Sequence, residues 1–285
     1  MLRAMQPIPR HRLACTQPLR PGARVTYDGN QAHYLIHVLR LAAGTGLALF
    51  SRADGEWLAV IESIGKRSVV LQVREQRRAP APMMDCWACF APIKGGRLET
   101  IIEKATELGA SVLQPVLTQR SIVDKVNAER AESIAREAAE QCERIDWPTI
   151  AAPKKFPALL GDWPSDRLLI YGDETGKGIP ITELISSSIM ECVAPQLREP
   201  RSEGFGGPPP TRATRATQKW AILTGPEGGF TPEELQMLQR LPNAKAVSLG
   251  PRILRADTAL ITLAAITMAA WGDWHHRPRF IGSDA

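Results

Sequence analysis

Hydrophobic and polar positions follow two different patterns along this chain of 285 residues. Up to about residue 75, short runs rich in β-branched and aromatic residues, at 47–50, 57–61 and 68–73, are separated by turns that contain Gly and Asp. Such runs predict β-strands, and one or two helical turns are predicted within residues 30–41. The first part of the chain is therefore expected to be a small β-rich unit.

From residue 85 onward, predicted strands and helices alternate. The helices are recognised by apolar or small residues that recur at spacings of three and four. The predicted strands cover residues 86–91, 112–117, 167–171, 221–223 and 246–249, and the predicted helices include 98–108, 131–142 and 258–271. The last helix is apolar on nearly every face, as in helices buried inside a domain or at a subunit interface. The alternation indicates an α/β domain with a mostly parallel sheet.

Two segments have the composition of connections. Residues 76–82 resemble a linker, so we expect one domain over residues 1–78 and a second over residues 79–285. Residues 195–217 are rich in Pro, Gly, Arg, Ser and Thr, which predicts a disordered surface insertion in the second domain.

Net charge is divided unevenly between these two domains. Residues 1–78 contain twelve Lys and Arg against five Asp and Glu, a net charge of +7, whereas the remaining 207 residues carry −2. A basic module attached to a nearly neutral body favours binding to a polyanion such as nucleic acid. A basic surface without a partner is the alternative.

The composition also excludes several classes of protein. No apolar run approaches the roughly 18–20 residues of a membrane helix, and the N-terminus lacks the apolar core of a signal peptide. We therefore expect a cytoplasmic protein with no membrane partner. The five cysteines are too sparse for a disulfide framework. Cys86 and Cys89 form a Cys-x-x-Cys, but their apolar neighbours favour a buried strand over a metal or redox site, and no metal site is expected.

The predicted strands that end near residues 171, 223 and 249 are each followed by a loop that contains glycine. Because the carboxyl ends of parallel strands meet at one edge of a sheet, these loops should converge on a ligand pocket. The middle loop continues into Thr231 and Glu234, which predict a helix start with a capping box. It is not a Walker A loop, because no Gly-Lys-Ser/Thr follows, and its glycine spacing differs from a dinucleotide fingerprint.

Charged residues narrow the choice of ligand. Glu227 would repel a phosphate and tolerates a cationic or neutral ligand better, although bracing of the loop through backbone N–H groups is an equal alternative. Arg252 and Arg255 flank the next turn. One of them could hold a carboxylate such as Glu227, and the other could face a phosphate or a developing anion.

Two long motifs carry a resemblance to a known family. Residues 223–230 (Leu-Thr-Gly-Pro-Glu-Gly-Gly-Phe) and 249–259 (Leu-Gly-Pro-Arg-Ile-Leu-Arg-Ala-Asp-Thr-Ala) resemble the RsmE family of 16S ribosomal RNA uridine-N3 methyltransferases, within the SPOUT superfamily. Shorter matches extend the resemblance over most of the chain: residues 38–40, 104–109, 120–121, and 137–142 with Arg144.

The resemblance implies a fold, a cofactor and partners. Residues 1–78 would form a PUA-like RNA-binding β-barrel, and residues 79–285 a trefoil-knotted SPOUT methyltransferase domain. The three loops would hold S-adenosylmethionine, and two copies would form a homodimer through helices near the knot. The family's target is the uridine at position 1498 of 16S rRNA in the assembled small ribosomal subunit. The alternatives are a SPOUT methyltransferase acting on another RNA position or a ribose 2′-hydroxyl, and a non-catalytic RNA-binding assembly factor.

The resemblance also assigns roles to residues. Arg255 would act at the uracil or its phosphate, and either Glu227 or solvent would serve as the base for the N3 proton. The residues expected to bind the cofactor are Tyr171, Gly172, Glu174, Leu223, Thr224, Gly225, Pro226, Glu227, Gly228, Leu249, Gly250, Ile253 and Leu254. The residues expected to contact RNA are Arg10, Arg12, Arg40, Lys94, Arg97, Arg120, Arg144 and Arg252.

One position departs from the family's pattern. The family often has Gly-Arg after the Glu-Gln-Cys run, and here Glu143 replaces that glycine while Arg144 keeps its place. This substitution bears on the conformation at the end of the preceding helix.

Overall fold

A computed structural model describes residues 9, 11–186, 219–274 and 276. The predicted insertion at 195–217 and Arg10 lie outside the described residues. The chain forms two compact units. The first unit comprises Met1–Met83 and Ala135–Trp147, and the second comprises Met84–Ile134 and Pro148–Ala285.

The first unit is built on a five-stranded sheet. Its strands are β1 (Arg12–Ala14), β2 (Arg24–Asp28), β3 (Gly46–Ser51), β4 (Gly55–Ile64) and β5 (Ser68–Arg78), in the order β1-β3-β4-β5-β2. Strands β1 and β3 are parallel and the other pairs are antiparallel. The three strands predicted from the sequence are confirmed. Strand β5 continues through Arg78, which pairs with Glu56, so the first three residues of the predicted linker are strand instead.

The two edges of this sheet approach each other. The Tyr27 hydroxyl on β2 donates to the Ala14 carbonyl on β1 at 3.1 Å. The side chain of Gln17, just after β1, donates to the Thr26 carbonyl and accepts from the Thr26 N–H. Alternate residues of β2 are buried, including Val25. These contacts bring the two edges of the sheet together in the barrel-like form predicted for the first domain.

Helical residues cover one part of this sheet. Helix α1 (Gly29–His33) runs directly into a π-helix (Tyr34–Val38), where one or two helical turns were predicted. Leu35 is fully buried, and Leu39 packs against the same core. The segment is therefore anchored by its apolar side.

The second unit contains a parallel sheet. Its strands are β6 (Cys86–Phe90), β7 (Val112–Leu117), β8 (Thr149–Ile150), β9 (Lys154–Lys155), β10 (Arg167–Gly172), β11 (Ile179–Pro180), β12 (Lys219–Thr224) and β13 (Ala244–Ser248). They lie in the order β11-β13-β10-β12-β6-β7-β8, with β9 also paired to β7, and all pairs are parallel. This confirms the predicted α/β architecture. The trefoil knot stays a prediction.

The remaining helices alternate with these strands along the chain. They are α2 (Gly96–Glu107), α3 (Ala128–Gln141), α4 (Phe156–Gly161), α5 (Pro232–Arg240) and α6 (Ala256–Trp271). The apolar last helix, α6, buries Leu260, Leu263 and Met268, and it packs against α2 and β12. None of the described helices is long and apolar enough to cross a membrane.

The Cys-x-x-Cys lies inside the sheet. Cys86 and Cys89 on β6 are at most 2% exposed. Burial raises the pKa of the Cys89 thiol to about 12, so the thiol stays protonated and unreactive. The prediction of a core strand at this motif is confirmed.

Candidate active site

Three neighbouring strands end at the same edge of the parallel sheet. Strand β10 lies between β12 and β13, with Tyr171 paired to Leu223 on one side and to Ala246 on the other. The loops that follow these strands enclose a cavity of about 510 Å³, within the range of small-molecule sites. The predicted convergence of the three loops is therefore present.

Ten of the thirteen residues expected at the cofactor line this cavity: Gly172, Glu174, Thr224, Gly225, Pro226, Glu227, Leu249, Gly250, Ile253 and Leu254. The other three lie elsewhere. Tyr171 and Leu223 point into the core beneath the loops, at 3% and 0% exposure, because side chains alternate between the two faces of a strand. Gly228 lies against Arg120 instead.

The cavity is also lined by residues that were not among those expected to bind the cofactor: Asp173, Gly176, Gly229, Phe230, Val247, Ser248, Pro251, Ala256 and Ala259. They are direct neighbours of predicted ones on the same three loops. Their position next to those residues was the available signal.

The middle loop requires glycine at two points. Gly229 has φ +68°, and a Cβ there would lie 1.5 Å from the Glu174 Oε1 atom. At Gly225, a Cβ would lie 3.1 Å from the Phe230 ring. A larger side chain at either position would displace the neighbouring wall of the cavity.

The helix after this loop begins with the predicted capping box. The Thr231 hydroxyl accepts from the Glu234 backbone N–H at 3.3 Å, and Glu234 Oε2 accepts from the Thr231 N–H at 2.9 Å. The other oxygen, Oε1, accepts from the backbone N–H of Gln119 at 2.8 Å. Glu234 is only 2% exposed, so this one carboxylate joins the loop after β7 to the start of α5.

The loop after β7 also holds the glycine loop directly. Arg120 Nη1 donates to the Gly228 carbonyl at 2.6 Å. Arg120 was expected to contact RNA, and the structure places its guanidinium on the backbone of the glycine loop. The fixed conformation of the glycine loop therefore depends on residues more than a hundred positions earlier in the chain.

The suggested pairing of Glu227 with Arg252 or Arg255 is wrong. Its Oε1 accepts from Arg97 Nη2 at 2.8 Å, in a half-exposed ion pair. Arg252 and Arg255 are exposed, line the cavity, and have no carboxylate partner among the described residues. Their charge is available to a substrate.

One polar atom at the cavity lacks a partner. The Thr224 hydroxyl is buried at the end of β12, with no hydrogen bond among the described residues. A buried hydroxyl without a partner costs free energy, and a ligand with a donor or acceptor can supply the missing bond.

Two arginines expected to contact RNA are occupied inside the first unit. The Arg12 side chain is 6% exposed, binds Glu56, and donates to the carbonyls of Ala139, Glu140 and Arg144. Burial lowers the pKa of Arg12, and Glu56 opposes this shift. The Arg144 side chain is 15% exposed and pairs with Asp146 at 2.8 Å. Neither guanidinium is presented at the surface for RNA, whereas Arg40 and Lys94 are exposed.

Comparison with known proteins matches two family models to this chain. A family model described as an RNA methyltransferase domain matches residues 80–268, and a model of an RNA methyltransferase PUA domain matches residues 27–74. The structure also resembles a ribosomal RNA small subunit methyltransferase E from Neisseria gonorrhoeae, solved bound to S-adenosyl methionine. That comparison has a TM-score of 0.73 and 21% identity, and it covers 92% of this chain and 98% of the other.

Relatives of the same name share more of the sequence. The ribosomal RNA small subunit methyltransferase E of Rickettsia conorii is 34% identical over 236 residues, which are 83% of this chain and 85% of the relative. The Bacillus subtilis protein of that name is 29% identical over 261 residues, 88% of this chain and 92% of the relative. The chain therefore belongs to the ribosomal RNA small subunit methyltransferase E family, the RsmE family that its two loop motifs resemble.

Proposed function

We propose that the protein transfers a methyl group from S-adenosylmethionine to N3 of a uridine in 16S rRNA of the small ribosomal subunit, at position 1498. The observation that carries this proposal is the cavity at the ends of β10, β12 and β13. It combines a glycine loop, acidic residues and two arginines without carboxylate partners among the described residues. Family membership supplies the class of reaction, and these residues supply the means to perform it.

The cavity suits the proposed cofactor in charge and in hydrogen bonding. Glu174 and Asp173 give it acidic lining that tolerates a sulfonium cation, and the Thr224 hydroxyl has an unused hydrogen bond. Leu249 and Leu254 add apolar surface for the uncharged parts of the cofactor. When bound there, S-adenosylmethionine supplies a methyl group that is already activated.

The protein must then hold the uracil and stabilise its anion. Uridine N3 loses a proton during the reaction, and the pyrimidine becomes negatively charged. Arg255 is the N-cap residue of α6, and its exposed side chain lines the cavity. Since its guanidinium has no carboxylate partner among the described residues, its charge can act on the developing anion.

Glu227 has a different position. Its carboxylate already accepts a charge-assisted hydrogen bond from Arg97, so it would have to share that bond to act as a base. Bracing of the loop is the role that this pairing favours, with solvent as the acceptor of the N3 proton. Glu227→Gln separates the two roles, because loss of a base changes the pH profile of kcat whereas loss of bracing weakens cofactor binding.

Two further properties belong to the proposal. A homodimer would use the apolar helix α6, where Ile261 and Ile266 remain partly exposed beside the buried residues. Sedimentation of the full chain tests that pairing. A substrate in the small ribosomal subunit would place the protein in the cytoplasm.

The deciding experiment maps methylation on unmethylated small subunits. The protein is incubated with subunits, or with naked 16S rRNA, and S-adenosylmethionine, and modified nucleosides are located by mass spectrometry. N3-methyluridine at position 1498 is the expected product. Methylation elsewhere or on a ribose 2′-hydroxyl would replace the proposal with another RNA target, and cofactor binding without transfer would indicate an assembly factor.

Two variants test the division of roles. Arg255→Ala should slow transfer by about 10²- to 10³-fold, the usual effect of removing one donor to a developing anion, while cofactor affinity changes little. Arg252→Ala serves as the matched control for loss of a neighbouring positive charge. Calorimetry that shows cofactor affinity lost together with transfer in Arg255→Ala would assign Arg255 to the cofactor instead.

A further inference from the structure

The π-helix of the first unit exposes an unusual set of side chains. Tyr34 is 40% and Val38 is 59% exposed, although both are large and apolar. Beside them, the rings of His33 and His37 lie 4.7 Å apart between centroids, and both are exposed. We call these four residues and Arg40 the π-helix surface.

The backbone of this segment is held in a strained form. The Leu39 N–H bonds the Tyr34 carbonyl at 2.9 Å, which closes the wide π turn, and the Leu41 N–H bonds the Leu35 carbonyl at 3.0 Å. Between them, Arg40 has φ +54°, a left-handed conformation that costs a non-glycine residue free energy. π-helical turns and such strained residues occur often at functional sites.

The buried and the exposed side chains of this segment lie on opposite faces. Leu35, Leu39 and Leu41 all pack into the core, so the anchored face is fixed. The opposite face then carries the aromatic, imidazole and guanidinium groups outward. A fixed platform of such groups is suited to stacking against flat, uncharged rings.

The charge of this segment favours a negatively charged partner. The helical segment and the turn after it, residues 29–41, contain no Asp or Glu, and Arg40 is exposed. A polyanion with accessible rings satisfies both features, and single-stranded RNA is such a partner, because its unpaired bases stack on Tyr, His and Arg.

We propose that the π-helix surface binds unpaired bases of the small-subunit rRNA, with Tyr34 and His37 as stacking residues and Arg40 on an adjacent phosphate. This assignment rests on the proposed function for the identity of the RNA. It goes beyond that function by naming a binding surface in the first unit, away from the residues of the methyl-transfer cavity in the sequence.

The test measures RNA affinity of the full-length protein by fluorescence anisotropy. The probes are a labelled single-stranded fragment of 16S rRNA around position 1498 and a duplex of the same sequence. Tyr34→Ala should weaken binding of the single strand about 5- to 150-fold and binding of the duplex much less, because stacking requires an unpaired base. Val38→Ser is a second, smaller change on the same surface and should act in the same direction.

Salt dependence separates stacking from charge. Arg40→Asn keeps a residue that tolerates the left-handed conformation and removes the positive charge. It should lower the slope of log affinity against log salt by about 0.7, the value for one phosphate contact on a single strand. Tyr34→Ala should leave that slope unchanged.

Ile64→Ser is the matched control, since Ile64 is another exposed apolar residue of the first unit, at 37% exposure. Its RNA affinity should equal that of the unmodified protein. Equal affinity for Tyr34→Ala and Ile64→Ser, with normal methylation of small subunits, would overturn the assignment. So would a change in sedimentation of the surface variants, because the surface would then join two copies of the chain. An unmodified protein that fails to methylate subunits would instead refute the proposed function.

Discussion

Glu143→Gly should stabilise the protein, although it removes a charged side chain. Glu143 follows the last turn of α3 and has φ +62°, one of two left-handed non-glycine residues among those described. This is the position where the family often has glycine. The Glu143 carbonyl accepts from Arg78 Nη2 at 2.9 Å, and glycine would keep that bond because it uses only the backbone.

The expected gain in the free energy of unfolding combines one stabilising effect with two smaller destabilising ones. A left-handed conformation costs a residue with a Cβ roughly 1–2 kcal/mol, and glycine removes this cost. Glycine also adds freedom to the unfolded chain, which takes back about 0.4–1 kcal/mol. The carboxylate of Glu143 favours the charged form of Arg12, so its loss costs a small further amount. The net stabilisation should be about 0.5–1 kcal/mol.

Urea unfolding followed by far-UV circular dichroism measures this difference. Glu143→Gln is the control, because it removes the same charge and keeps the strained backbone, so the difference between the two variants isolates the conformational effect. The slope of the unfolding free energy against urea should not change. A Gly variant no more stable than the Gln variant would refute the claim that the backbone at residue 143 is strained.

Three other variants test the site and the core. Gly229→Ala should weaken cofactor binding at least about tenfold in calorimetry, since its Cβ meets the Glu174 carboxylate, and adding Glu174→Ala should restore affinity only in part because φ stays positive. Glu234→Ala should cost about 2–4 kcal/mol in urea unfolding, because it leaves two backbone N–H groups without an acceptor, whereas Glu233→Ala, on the exposed side of the same helical turn, should cost under about 1 kcal/mol. Burial raises the pKa of Glu140 to about 7, so the folded state binds more protons than the unfolded state between about pH 4.5 and 7, and the stability from this group is lost as pH rises. When the pH is raised from 5 to 8, the free energy of unfolding of the unmodified protein should therefore fall by on the order of 2 kcal/mol more than that of Glu140→Gln. Equal changes in both proteins over that range would contradict the assignment.

The cavity could be located from the sequence because its signals are local. Glycine loops after apolar runs identify strand ends, and in a parallel sheet those ends must lie at one edge. The Thr231 and Glu234 capping box is likewise complete within four residues, and the structure contains both of its bonds. Each of these signals is contained in a few consecutive residues of the sequence.

The partners of charged residues could not be located in this way. Glu227 pairs with Arg97, which is 130 positions away, although Arg252 and Arg255 are much nearer in sequence. Ion pairs depend on which side chains the fold brings within a few ångströms, and spacing along the chain carries no information on that. The same reason explains why Arg120, a candidate for RNA, instead fixes the backbone of the glycine loop.

A net charge of +7 over residues 1–78 supports attraction to RNA, but it does not identify the residues that make contact. Arg12 and Arg78 both bind Glu56 and are mostly buried, so part of the basic charge is neutralised inside the unit. Burial alone would raise the pKa of the Glu56 carboxyl, yet the two arginines outweigh burial and the pKa is lowered. This cluster stays charged as a structural element, and RNA recognition must rely on the basic groups that remain exposed. Arg40 on the strained π-helix turn is such a group, and it lies beside side chains able to stack on bases.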